Sequence, residues 1–328
     1  MGNFFSRTKN IENKFINKIV SLYSSQLALL SNSEIEIISQ DTLETNITIK
    51  GDNFINLFQV SNGNIIIFSD FKIQIISLKD NTEYTTVQEI ENDNKIMLVK
   101  LLETKDELFF IKENINYDKL FDIYNNTTLS NEKINKKNNF VINKNNSIFF
   151  DAEYLPQKNE FIFLETNKLK FLEKETFNLK HEITNEDFHL DFQRDVLCLL
   201  DDNHVLIGTH KNLYILNINN YEFVSIIRHE NIIKGINKIK KDLNGNIILA
   251  ANNSYNIKGF FPPKHFLIVY KYNTNEKKLD KIYDDTLSME RIIDYVCLNE
   301  NKIAIVVEYF PFFGGMTKEY LKISSYNY

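Results

Sequence analysis

The side chains able to do acid–base chemistry in this chain are Asp151, Glu153, Asp191, Asp195, Asp294 and Glu308. Two carboxylates held at a defined separation hydrolyse glycosides, one as acid and the other as base or nucleophile, and the fold alone sets that separation. The six histidines (His181, His189, His204, His210, His229 and His265) include no close pair at metal-ligand spacing beside a carboxylate. His204 and His210 lie on one face of a single strand, where an interval of six residues is about 20 Å, too far for one metal. Phosphate-cradling and dinucleotide glycine patterns are absent. The expectation is a protein that is not an enzyme and uses no cofactor or metal, with a carboxylate hydrolase as the alternative.

A different chemistry is written at the start of the chain. "MGNFFSRTKN" resembles an N-myristoylation signal: Gly2 becomes the terminus after Met removal, Ser6 sits at the favoured position, and Arg7 and Lys9 follow. One myristoyl chain binds membrane with K of only about 10⁴ M⁻¹, so a second signal is needed. No Cys lies near Gly2 for palmitoylation. Arg7, Lys9, Lys14 and Lys18 against Glu12 make a basic patch, worth about 1 kcal/mol for each basic residue close to anionic lipid. Phe4 and Phe5 are placed to insert beside the acyl chain. An unmodified leader is the alternative.

Composition narrows the partners. The 328 residues carry a net charge of -6 and only four arginines (Arg7, Arg194, Arg228 and Arg291), which argues against nucleic acid. Phosphoinositide-binding propellers carry a Phe-Arg-Arg-Gly motif, which this sequence lacks. No apolar run approaches the roughly 20 residues that span a bilayer, and no secretory leader is visible. A cytoplasmic protein with reduced Cys198 and Cys297 follows. Asn-rich composition reads as genome bias.

The elements that position these groups are short strands. Apolar runs and alternations such as "EIEII", "KIQII", "LYILNI" and "FLIVYKY" are separated by Asn, Asp, Gly and Lys clusters. Phe15-Ile16-Asn17 recurs as Phe54-Ile55-Asn56, and Asn32–Ser39 recurs as Asp70–Ser77. Offsets of 54 − 15 = 39 and 70 − 32 = 38 set a period of about 40 with several strands per unit, the grammar of a β-propeller. Each repeat reads as strands A to D, with blade 1 over 14–50, blade 2 over 54–90, blade 3 from Lys95 and about seven blades in all. The chain resembles the WD40-like β-propellers, without their Gly-His and Trp-Asp punctuation, since it has no Trp. His204–Ile218 is similar to the B–C hairpin of many propeller families, citron-homology domains among them. Ile11, Phe15, Ile19 and Leu22 also fit a helical stripe that competes with the first strand.

The domain reading is a leader over 1–13 followed by an all-β propeller over 14–328. Its last blade is either three-stranded or closed by the N-terminal segment. In such a fold the D–A and B–C connections share one edge, and the A–B and C–D turns share the other. Blades 6 and 7 carry long B–C loops at Ser254–Lys264 and Tyr309–Lys318, bearing Phe260, Phe261, Phe310, Phe312 and Phe313. With Gly2 on the same edge they form a docking surface for a protein partner or an anionic membrane. The alternative buries these rings against one another. Closure by residues near 10–20 instead starts the N-terminus from the opposite edge. Residues 125–147 read as an Asn- and Lys-rich mobile insertion whose Lys133, Lys136, Lys137 and Lys144 face solvent or an acidic partner. The functional expectation is a non-catalytic scaffold or adaptor, peripheral on the cytosolic face of a membrane. An unlipidated interaction propeller is the runner-up.

Overall fold

The computed structural model describes residues 7–11, 14–23, 25–80, 82–91, 96–114, 119–126, 133–142, 148–188, 195–210, 212–228, 235–253, 264–288, 290–298, 301–309 and 318–325. They form a seven-bladed β-propeller of four-stranded antiparallel sheets, with no helix among the described residues.

The N-terminal strand β1 (Arg7–Ile11) stands apart from the blade that follows it. Blade 1 is β2–β5 (Ile16–Leu22, Gln26–Ser31, Glu34–Ser39, Thr45–Lys50). Blade 2 is β6–β9 (Phe54–Gln59, Ile65–Ser69, Lys72–Leu78, Tyr84–Glu91). Blade 3 is β10–β13 (Ile96–Glu103, Glu107–Asn114, Lys119–Asn125, Lys136–Ile142). Blade 4 is β14–β17 (Phe149–Leu155, Glu160–Glu165, Lys168–Glu173, Leu179–Thr184). Blade 5 is β18–β21 (Leu197–Asp201, His204–Gly208, Asn212–Asn217, Glu222–Arg228). Blade 6 is β22–β25 (Gly235–Lys241, Asn246–Asn253, Lys264–Asn273, Lys278–Ser288). Blade 7 is β26–β28 (Glu290–Cys297, Lys302–Tyr309, Lys318–Ser325) with β1 as its fourth strand, in the order β1-β28-β27-β26.

The question of closure is therefore answered by residues 7–11. As the outer strand of an antiparallel blade, β1 begins at the edge where β28 ends and finishes at the edge where β28 begins. Arg7 thus starts from the A–B edge, opposite the B–C connection of its own blade. The helical stripe does not form. Ile11, Ile19 and Leu22 are buried in two separate strands, and Phe15, between them, is 74% exposed.

The chain folds as two compact units. One (Thr8–Asn146 with Ile293–Val296) holds blades 1 to 3, and the other (Met1–Arg7, Ser147–Ile292, Cys297–Tyr328) holds blades 4 to 6 and most of blade 7. In each, the second strand of a blade is its most buried. Ile65–Ser69 and His204–Gly208 are buried at every position, as expected for strands covered on both faces. Outer strands alternate instead, β21 between exposed and half-buried. Leu22, Ala28, Leu30, Ile35 and Ile37 of blade 1 meet Phe54, Leu57, Ile65 and Ile67 of blade 2. Phe150, Ile162 and Leu164 of blade 4 meet Val205, Ile207 and Tyr214 of blade 5.

The repeated B–C turn has a repeated cause. Ser31, Ser69 and Thr209 each accept the N–H of the residue three positions on and donate to that residue's carbonyl. Part of the abundant Asn also has a structural use. Asn53, Asn159, Asn167 and Asn301 sit at φ between 53° and 61°, where Asn is the best tolerated residue after Gly.

The expected insertion over 125–147 is corrected in part. Lys136–Ile142 is β13, the outer strand of blade 3, paired to β12 with Ile123 opposite Asn138. An outer strand needs apolar contact on only one face, so low hydrophobicity does not exclude it. Its lysines meet acids of their own blade. Lys136 pairs with Asp122 at 2.6 Å and Lys137 with Glu107 at 3.3 Å. Asp122 also takes a hydrogen bond from buried Lys112. Burial raises the Asp122 pKa, but the two lysines outweigh it and hold the carboxyl below its usual range.

Candidate functional site

The inner strands of each blade present the acids that hydrolytic chemistry would need. Asp151 and Asp294 are almost fully buried and use both oxygens on main-chain amides. Asp151 Oδ1 accepts the N–H of Ala152 at 2.8 Å, and Oδ2 accepts that of Leu197, on the inner strand of the next blade, at 2.8 Å. Asp294 repeats the geometry: Oδ1 takes Tyr295 N–H and Oδ2 takes Ile19 N–H, both at 2.9 Å. Between blades 5 and 6 the same link is made by a carbonyl, Asp195 O accepting Ile239 N–H at 2.8 Å. These carboxylates connect neighbouring inner strands. Glu153 lies beside Tyr154 N–H at 3.3 Å, and Asp191 falls outside the described residues.

A second polar group lies at the B–C edge of blades 6 and 7. β24 places His265 near the start of its strand, and Arg291 on β26 is the charge that acts on it. His265 is 3% exposed, and its Nδ1 is buried with no hydrogen-bond partner. Burial, then the Arg291 guanidinium, pushes its pKa down to about 4, so the ring is neutral at physiological pH. Arg291 is more than half exposed and lies 3.6 Å from Glu308 on β27. Tyr320 on β28 donates to Glu290 on β26; burial, then that carboxylate, raises the phenol above its ordinary value.

A third group lies at the A–B edge of blades 5 and 6. His204, buried on β19, has Nδ1 at 2.8 and 3.0 Å from the two Asp201 oxygens across a tight turn. This carboxylate partner three residues upstream was legible in the sequence and was missed there. Burial pushes Asp201 up, but Asn203 N–H and His204 more than compensate and lower it. Tyr272 on β24 is raised by burial and then by the Asp201 charge. Its ring lies 6.3 Å from that of His204. Asn203 N–H also binds Asp201 Oδ1, so the turn itself is what this carboxylate builds.

Of the expected docking residues, Gly2, Phe4, Phe5, Phe260, Phe261, Phe310, Phe312 and Phe313 lie outside the described residues. Arg7 and Lys9 are on β1. Lys9 Nζ donates to Thr45 Oγ1 at 2.8 Å, and burial lowers its pKa. Lys14 bridges Glu34 and Glu36 at 2.5 Å each. Lys18 donates to Asn56 and sits 4.0 Å above the Phe58 ring. Lys9, Lys14 and Lys18, all expected to face lipid, thus have partners inside the fold. Cys198 and Cys297 are free thiols on inner strands, and burial above all raises the Cys297 pKa to about 12. Among the described residues no group of three or more His, Cys, Asp or Glu is arranged to hold a metal ion, and no helix is long and apolar enough to cross a membrane.

No family model matches the chain, and no curated protein matches it.

Proposed function

We propose that this protein is a non-catalytic interaction scaffold, a β-propeller that recruits a protein partner and is tethered to the cytosolic face of a membrane by a myristoyl group on Gly2. The use of Asp151 and Asp294 carries the scaffold reading. The two most deeply set candidate acids each accept two main-chain N–H groups, which makes them joints between blades and removes them from acid–base work. Exposed loops and outer strands are then the surfaces left for recognition, as is general for propellers.

The tether rests on the pattern Gly2, Ser6 and Arg7. Since Arg7 begins β1 at the A–B edge, a lipid on Gly2 would turn that edge toward the bilayer and leave the B–C loops of blades 6 and 7 facing the cytosol. The internal partners of Lys9, Lys14 and Lys18 favour a second reading, a soluble propeller without lipidation, because they weaken the electrostatic half of the anchor.

Click-labelled myristate in cells expressing the full chain, beside Gly2→Ala, separates the two readings. Label on the wild type alone, with loss of the membrane fraction in Gly2→Ala, is expected. An unlabelled wild type, or equal membrane fractions for both, refutes the tether and leaves the soluble scaffold.

A further inference from the structure

We propose that the B–C edge of blades 1 and 2 docks a basic segment of a partner protein, one that carries Arg or Lys among aliphatic residues. This rests on the scaffold reading and names the class of segment the scaffold takes. Phe15 and Phe71, the two exposed phenylalanines among the described residues at 74% and 58%, both stand on this edge. The fold needs neither ring. Ser69 closes the turn that carries Phe71, and the equivalent turn of blade 1, closed by Ser31, has Ser33 in that place. Phe15 immediately precedes β2, whereas its repeat partner Phe54 is buried. A run of bonds joins the two positions. Asn17 Nδ2 donates to Asn32 Oδ1, Phe54 N–H donates to Asn32 O at 2.8 Å, and Phe54 pairs with Ser69 across β6 and β7.

The charge beside these rings is acidic. On β8 and β9, Ile73, Ile75 and Ile90 pack into the core shared with blade 3, so Lys72, Gln74, Glu89 and Glu91 face blade 1. Lys72 and Gln74 both donate to Glu89, at 2.9 and 2.6 Å. Glu91, Asp70 in the turn and exposed Asp52 in the link from β5 to β6 pair with no basic side chain among the described residues. Asp52, Asp70, Glu89 and Glu91 against Lys72 leave an excess of 4 − 1 = 3 negative charges. Neighbouring lysines do not cancel it. Lys14 is committed to Glu34 and Glu36, and Lys50, alternating with Ile47 and Ile49 of the core between blades 1 and 2, faces away from blade 2.

Exposed apolar groups rimmed by charge mark interaction sites. Aromatic faces and carboxylates both attract cations, so together they select a segment that is basic and apolar at once. The same chemistry operates inside this unit, where Lys18 Nζ sits 4.0 Å above the Phe58 ring. An anionic membrane surface would be repelled by the excess negative charge.

Fluorescence anisotropy tests this with labelled peptides that alternate Arg with Leu, Glu with Leu, or Arg with Ser. They are titrated with the unacylated full chain, with Phe15→Ser, with Phe71→Ser, and with the triple reversal Asp52→Lys, Asp70→Lys, Glu91→Lys. The Arg–Leu peptide should bind wild type saturably, with a dissociation constant of about 100 µM or less, and the Glu–Leu peptide should not. Each Phe→Ser should raise that constant about threefold, and the Arg–Ser peptide should bind about tenfold more weakly. The triple reversal turns the excess positive and should switch preference to the Glu–Leu peptide. No saturable binding of the Arg–Leu peptide, indifference to both Phe substitutions, an Arg–Ser peptide that binds as tightly, or a triple reversal that still prefers Arg overturns the proposal. Thermal melts of each variant identify loss of fold. Proximity labelling in cells, wild type beside the triple reversal, separates this failure from failure of the scaffold reading. Neighbours labelled equally by both retire this edge and leave a scaffold that works through another surface, whereas a wild type that labels none retires both.

Discussion

His265 should make the protein acid-labile in a window set by a single ring. Its Nδ1 is buried without a partner, and its pKa is lowered from 6.5 to about 4 by burial and then by Arg291. Glu308 from β27 faces the same Arg291, at 3.6 Å. In the unfolded chain the ring binds its proton near pH 6.5; in the folded chain it does so only near 4. Between those two values the unfolded state holds more protons, so stability rises with pH. The contribution is complete above the unfolded value, is lost as pH falls through the window, and changes no further below about 4. Its ceiling is about 3 kcal/mol, at 1.36 kcal/mol per unit. Between about pH 7 and about pH 5 it amounts to about 2 kcal/mol. Urea unfolding of wild type and His265→Gln across that range isolates the term, since every other titrating group is common to both. The wild type should lose about 2 kcal/mol more than the variant on acidification. Parallel pH dependences within about 0.5 kcal/mol, the usual error of such comparisons, would refute a neutral buried His265.

Two further outcomes follow from the packing. Asp294→Ala removes the acceptor of two main-chain N–H groups and should cost about 2 to 4 kcal/mol in urea unfolding, with Asp294→Asn losing less because one acceptor oxygen remains. Equal losses for the two variants would sink the joint role given to the carboxylate. A Cβ at Gly208 would lie 2.8 Å from Ile239 Cδ1 and 3.1 Å from Ile236 Cγ2, so Gly208→Val should destabilise by about 1 to 3 kcal/mol through overpacking, with a lower melting temperature. A melting temperature equal to wild type would show that blade 6 yields there at no cost.

The fold was legible because blades repeat, and the limits of legibility lie where repeats diverge. Phe15 and Phe54 hold the same repeat position, yet one is 74% and the other 3% exposed. Phe54 closes over Gly51, where an added Cβ would clash with its ring. The residue three before Phe15 is Glu12. A match of three letters does not carry the burial of its first residue. The outer strand of blade 3 went unseen for a related reason: Lys136 and Lys137 take their partners from β12 and β11, 14 and 30 residues away. Identity of the candidate acids was readable, but their use was not. Asp151 meets Leu197 across 46 positions and Asp294 meets Ile19 across 275, and no local pattern encodes such distant amides.

Pairing of β1 with β28 has a consequence for the order of biosynthesis. β1 leaves the ribosome well before its partner β28, and at about 5 to 20 residues per second that interval is roughly 15 to 60 s. Throughout it, the strand that residues 7–11 pair with in blade 7 does not yet exist, so their ordering is the step that completes the blade.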